Sequence, residues 1–221
     1  MRANVIGMVL LLSVQSTSAA PLFNGRNLDN WTLETTPAAS IEQVVRVLPE
    51  GVIAVAGQPS GFLATTNSYA NYRLHVAWRW TGKPGNAGVL LHISDGAKDR
   101  VWPLSLQVQT KHGRAGDLLP MAGAAFSEPL TSAPDAVPRT KDKMAADSER
   151  PAGQWNVADI VARDGTVEVS INGVLQNRVT GVQPAAGRIG FQLEGAPYEL
   201  RDVDVVELVA PVDPTGPHRA R

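Results

Sequence analysis

The chain contains no cysteine, so no disulfide can staple it and no lipid-modified cysteine can anchor it. It must be held by its core alone. Charge of one sign is also lacking. Twenty basic side chains stand against 21 acidic ones, and no basic run or basic amphipathic helix occurs. That balance argues against nucleic acid or an anionic membrane as the main partner. Helical periodicity is nearly absent. No apolar run is long enough to cross a bilayer, since Val5 to Val14 spans only about ten residues. The four histidines show no His-x-His or His-x3-His spacing, so there is no metal motif to read. A Gly-x-Ser-x-Gly elbow and a phosphate-cradling glycine loop are missing. So is the close carboxylate pair of a retaining β-sandwich glycosidase.

What is present begins with a leader. Arg2 supplies the positive end, Val5 to Val14 the apolar stretch, and Ser18-Ala19-Ala20 the small residues before Pro21. Residues 1–20 are expected to be a cleaved signal peptide. The mature protein is then expected to be soluble and exported, periplasmic or secreted, with no membrane attachment and no lipid anchor. Residues 21–209 are expected to form one domain with a single core. The Pro-rich tail 210–221 is expected to be disordered.

Glycine and proline punctuate the domain into short alternating segments, so the fold class is all-β. Strands are read at 44–48, 52–56, 62–66, 71–81, 87–93, 101–110, 155–163, 166–171, 174–179, 188–194 and 198–208. Asp164-Gly165 and Asn172-Gly173 are hairpin signals. About eleven such strands predict two stacked antiparallel sheets, a β-sandwich of jelly-roll type. Residues 111–150 break the rhythm. They read as a functional loop or a solvated excursion.

Alternation sorts the polar side chains by face. Arg188, Gln192 and Glu194 point opposite to Ile189, Phe191 and Leu193. Ser105, Gln107 and Gln109 point opposite to Leu106 and Val108. Asn86 and His92 share a face with Gly88. Together these residues could line one concave sheet surface. Amides, carboxylates and guanidinium groups bond hydroxyls, and indoles such as Trp155 stack on pyranose faces, so the chemistry suits a carbohydrate. An ordinary wet outer face is the competing explanation.

Several segments, in this order, resemble the 3-keto-disaccharide hydrolase family, whose members are also described as 3-keto-glucoside 1,2-lyases and 3-keto-2-hydroxy-glucal hydratases. They are Leu22-Phe23-Asn24-Gly25, Gly85-Asn86-Ala87-Gly88-Val89, Trp102-Pro103-Leu104-Ser105-Leu106-Gln107-Val108-Gln109, Gly153-Gln154-Trp155-Asn156, Phe191-Gln192-Leu193-Glu194-Gly195 and Leu200-Arg201-Asp202. The resemblance implies a concanavalin-like jelly roll acting on glycosides oxidised at C3. The C3 ketone acidifies the C2 proton, so a base can remove it and the C1 oxygen can leave. Water then adds to the enone, for net hydrolysis. Such a site needs a base at C2, a donor to the C3 oxyanion and an acid for the leaving group.

The chain departs from the family at informative places. Gln107 and Gln154 stand where the family has Glu, and Ala87 where it has Ser. Gln107 cannot be a general base but can bind a sugar or a metal. Glu194 stands where much of the family has His, so it becomes the expected base. Arg201 is expected to orient it or to stabilise an oxyanion, and His92 is the next titratable candidate. Asn86, Gln107, Gln109, Trp155, Asn156 and Gln192 are the expected substrate contacts. The resemblance leaves room for a divalent metal, and an oxidised glycoside is the expected partner. A non-catalytic carbohydrate-binding module on the same sandwich is the alternative.

Overall fold

The computed structural model describes residues 20–208. The leader (apart from Ala20) and the tail 210–221 lie outside the described residues. No helix among the described residues is long and apolar enough to cross a membrane.

Sixteen strands follow in chain order. They are β1 (Ala20–Pro21), β2 (Trp31–Thr36), β3 (Val45–Leu48), β4 (Val52–Val55), β5 (Ser60–Tyr69), β6 (Tyr72–Trp80), β7 (Gly88–Ile93), β8 (Ala97–Asp99), β9 (Trp102–Pro103), β10 (Ser105–Gln109), β11 (Leu118–Met121), β12 (Asn156–Arg163), β13 (Thr166–Ile171), β14 (Val174–Val179), β15 (Gly187–Leu193) and β16 (Tyr198–Glu207). One sheet runs β14-β13-β12-β6-β16-β4-β3, with β1 also on β16. The other runs β11-β10-β7-β15-β5-β2, and β8-β9 form a separate hairpin. All pairings are antiparallel among these strands. The result is the all-β sandwich that the alternation predicts.

The two sheets meet through one apolar layer. Leu74, Val76, Trp78 and Trp80 project from β6, as their period of two requires, and Ile160 and Leu200 join them. Val89, Leu91, Leu106, Val108, Ile189 and Phe191 project from the facing sheet. Each such side chain contributes roughly 1.5–3 kcal/mol when fully buried, which is how a chain without disulfides holds together.

Several boundaries differ from the sequence reading, most of all at β5, which runs Ser60–Tyr69 where 62–66 is expected. Ile41–Val44 is a single helical turn, capped by Ser40 and Gln43, so strand β3 starts one residue later than expected. The stretch 101–110 is two strands, because β9 pairs β8 while β10 joins the six-stranded sheet. Strands β1, β2, β8 and β11 are additional to those expected from the sequence. The segment 111–150 contains β11 and is pinned rather than free. Lys143 N donates to Asp117 Oδ1 at 2.8 Å, and Asn177 Nδ2 donates to the Gly116 carbonyl at 2.8 Å.

Candidate active site on the six-stranded sheet

The outward face of the six-stranded sheet carries a chain of amides ending in a carboxylate. Strands β10 and β15 each present alternate residues there, with β7 between them. Gln107 Nε2 donates to Gln109 Oε1 at 3.2 Å and to Gln192 Oε1 at 3.0 Å. Gln192 Nε2 donates to Glu194 Oε2 at 2.6 Å, and Asn86 Nδ2 donates to the same oxygen at 2.6 Å. Gln109 Oε1 also accepts from Lys111 N at 3.1 Å.

The intervening strand makes this possible by having no side chain at Gly88. A Cβ there would sit 2.6 Å from Gln107 Nε2. Glycine therefore leaves the space in which Gln107 lies across β7 toward Gln192. Asn86 precedes β7 and bridges in the ladder to Glu194 and Gly195, which fixes the carboxylate at the end of β15.

Above this floor lies a cavity of about 210 Å³. Its polar side is Asn86, Gln107, Gln109, Lys111, Gln192 and Glu194, with Asp99 at the end of β8 and Arg100 in the turn after it. Its apolar side is Trp102, the segment from Leu119 to Ala122, and Val137 with Pro138. Two short stretches of the 111–150 segment, 119–122 and 137–138, thus form a wall of the cavity.

Three features give the cavity its chemistry. Burial pushes the Glu194 carboxyl above its ordinary value, with the Lys111 and Arg100 charges pulling the other way. Glu194 Oε2 takes both amide donors, and Oε1 accepts no hydrogen bond among the described residues. Asn86 Oδ1 and Gln107 Oε1 are buried with no partner. Buried acceptors without donors are costly, and hydroxyl groups of a ligand would supply the missing hydrogens.

The oxygen set also bears on a metal. It offers the Glu194 carboxylate, the Asp99 carboxylate paired with Arg100, and two unpartnered amide carbonyls, beside two basic side chains. Hard divalent cations favour several anionic oxygens, so this set fits hydroxyl donors better than a dication. Among the described residues no group of three or more His, Cys, Asp or Glu converges.

Asn86, Gln107, Gln109, Gln192 and Glu194 therefore come together as the alternation predicts. Four other candidates lie elsewhere. His92 has a φ of 56°, which breaks the alternation of β7. Its ring turns inward, edge-on to Tyr72 at 5.7 Å, and its Nδ1 donates to the Pro184 carbonyl at 2.8 Å. Burial holds its pKa below the ordinary value. Ile93 takes the outward place instead, packed with Leu90, Phe62 and Ala64.

Arg201 belongs to β16 in the opposite sheet, on the side away from the core-facing Leu200. Its guanidinium lies 4.3 Å from the Trp155 ring centroid, and that of Arg79 lies 4.6 Å away. Arg79 Nε in turn bonds Glu199 Oε2 at 2.6 Å. Trp155 is thus a platform for two arginines, remote from Glu194. Asn156 is fully buried, and its Oδ1 accepts from Arg150 N at 2.7 Å and Asn172 Nδ2 at 2.8 Å. It ties the end of the long segment to the β13–β14 hairpin. None of the four lines the cavity.

Sequence reasoning missed Arg100, Lys111 and the apolar wall. Lys111 had a signal, since it continues the phase of Gln107 and Gln109. Arg100 had none, because it sits in a two-residue turn beside Lys98 and Asp99 with no periodic pattern to place it.

Two packed antiparallel sheets with an amide-bound carboxylate on one outward face define a jelly-roll β-sandwich with a polar site. The model of the 3-keto-alpha-glucoside-1,2-lyase-like domain matches residues 18–206, and the chain belongs to that family. No curated protein matches the chain in sequence. Among solved structures it is similar to a candidate glycosyl hydrolase from Parabacteroides distasonis, with 20% identity and a TM-score of 0.64 over 90% of this chain and 99% of that one. A β-glucanase from Bacillus licheniformis has 11% identity and a TM-score of 0.58, covering 89% of this chain and 100% of that one. The carbohydrate-binding module CBM66 from Bacillus subtilis has 11% identity and a TM-score of 0.55, covering 80% and 95%. These likenesses establish the jelly-roll fold.

Proposed function

We propose that the protein is an exported enzyme that cleaves 3-keto-glycosides by elimination across C1–C2 followed by hydration. The observation that carries this reading is Glu194: one oxygen fixed by two amides, the other without a hydrogen bond, at a cavity lined by hydrogen-bonding side chains. Glu194 Oε1 takes the C2 proton. The electron pair forms the C1=C2 bond, and the C1–O bond breaks. The proton now on Glu194 goes to the departing oxygen, giving a free alcohol. Water then adds, its hydroxyl to C1 and its hydrogen to C2, and the 3-keto sugar is complete.

Arg100 and Lys111 suit the charge that develops on the C3 oxygen in the first step. Asn86 Oδ1 and Gln107 Oε1 accept sugar hydroxyls, which satisfies both buried acceptors. A raised carboxyl pKa brings the base closer to the operating pH, where proton transfer is more effective. The location rests on the leader pattern in residues 1–20. N-terminal sequencing of the protein produced with its leader tests it, with Pro21 expected first.

A binding module without turnover is the second reading. It is favoured by the composition of the floor, which is four amides and one carboxylate, with Gln107 unable to titrate. Incubation with a 3-keto-glucoside separates the two. Release of the free alcohol supports the enzyme, and binding without release supports the module.

A further inference from the structure

We infer that a second depression, across Glu194 from the amide-lined cavity, holds the leaving group and selects an uncharged one. The inference rests on the elimination reading above, because it takes Glu194 as the group that meets C2. Glu194 and Gly195 form one side of this depression, which has a volume of about 630 Å³. Thr36, Pro37, Gln58, Pro59 and Ser60 form the rest. Glu194 is the residue that both hollows share.

The depression is built on paired backbone. Thr36 at the end of β2 opposes Ser60 at the start of β5 in the ladder. Gly195 N donates to the Gly57 carbonyl at 2.8 Å, so the loop before Gln58 is tied to the loop after Glu194. The wall and the carboxylate therefore keep one relative position.

The position follows from the chemistry. C1 is bonded to C2, so a ring seated in the polar cavity with C2 at Glu194 directs its C1 substituent past that residue. The depression lies where that substituent emerges. Its two prolines offer C–H faces, and Thr36, Gln58 and Ser60 offer hydroxyl and amide groups. This combination matches a hydroxylated ring.

The charge pattern sets the selectivity. Arg100 and Lys111 line the polar cavity, and among the described residues no basic side chain lines the depression. An anionic leaving group would meet Glu194 with no cation to offset it, which weakens its binding.

The test uses three 3-keto-glucosides, with a methyl, a neutral hexosyl and a glucuronyl leaving group. The hexosyl compound is expected to exceed the glucuronyl one by about tenfold in kcat/KM. Ser60→Trp fills the depression, and the hexosyl-to-methyl ratio of kcat/KM is expected to fall about tenfold. Gln58→Lys, at an exposed position, is expected to narrow the hexosyl-to-glucuronyl ratio. Equal losses on the hexosyl and methyl compounds in Ser60→Trp, or an unchanged anion ratio in Gln58→Lys, overturn the inference. Turnover of none of the three by the unaltered protein overturns the elimination reading instead. In that event calorimetry with the same compounds still reads the depression. Tighter hexosyl binding that Ser60→Trp removes supports it, and equal affinity for all three defeats it.

Discussion

Asn86 and Glu194 lie 108 residues apart in sequence, yet the Asn86 amide donates to Glu194 Oε2 at 2.6 Å. Gln192 donates to the same oxygen from two residues away, also at 2.6 Å. The carboxylate is oriented by two neutral donors, and its second oxygen is left for a ligand. This arrangement suits a base that must be ionised without being locked in an ion pair.

Glu194→Gln is expected to lower turnover of a 3-keto-glucoside by about 100-fold or more, the range for losing a positioned base. Sugar binding should survive, because Gln keeps the shape and one acceptor. Alcohol release and calorimetry, measured side by side, check both halves. Activity retained within a few-fold would remove Glu194 from the role.

The pH profile provides an independent check. Burial holds the Glu194 pKa above its ordinary value of 4.5. The base works only when deprotonated, so kcat/KM is expected to rise with pH through an apparent value above 4.5. The same shift has the opposite sign for stability. The folded state holds its proton more tightly, so this residue's contribution falls as pH rises from the unfolded value through the folded one. Gln107→Glu would set a second carboxyl against Gln192 Oε1, one amide away from the first, where only its protonated form can donate. Like charges oppose each other's ionisation, so the acid limb of the profile should move further upward.

His92 makes a separate prediction. Its folded pKa lies below the ordinary 6.5, so the unfolded chain binds the proton more tightly. Its contribution is intact above 6.5 and is lost progressively as pH falls from there toward the folded value. Asn tolerates positive φ better than most residues, so His92→Asn should still fold. Urea midpoints measured between pH 7.5 and 5 should decline less in His92→Asn than in the unaltered protein. Identical slopes would show that the histidine is not buried in its neutral form.

Gly88→Ala tests the floor. The added methyl meets Gln107 Nε2, and overpacking of this kind costs about 1–3 kcal/mol. Both the urea midpoint and sugar affinity should drop. A drop in stability with affinity unchanged would show that the amide chain is not part of the site.

Arg201→Ala tests the separation of the two sheet faces. Loss of one cation–π contact at a partly exposed site costs about 0.5–1 kcal/mol. Turnover should stay within about twofold, since the residue touches nothing in the cavity. A large loss of kcat with unchanged stability would return Arg201 to the reaction.

Much of the site was legible because strands alternate. Gln107, Gln109, Gln192 and Glu194 could each be assigned to a face opposite Leu106, Val108, Phe191 and Leu193. The same rule failed at His92, where one residue with positive φ inverted the phase of β7. No local pattern marks such an inversion, which sets His92 against Tyr72 and Ile93 beside Leu90 and Phe62. Arg201 and Trp155 lie within suggestive motifs, but a motif's place in the sequence says nothing about which of two sheets it joins. Lys111 was in phase with its neighbours and could have been found. Arg100 and Val137 reach the cavity from irregular segments whose course is set only by contacts elsewhere.

The amino-acid order by itself determined the all-β class, the main hairpins and the inward or outward sense of most strand residues, since these depend on a period of two and on turn residues acting locally. Tertiary structure decided which strands became neighbours, and hence that β10, β7 and β15 set Gln107, Gly88 and Gln192 side by side. It also decided that Glu194 stands between two hollows. Strand order arises from burying one shared apolar layer, a property of the whole chain that no short segment carries.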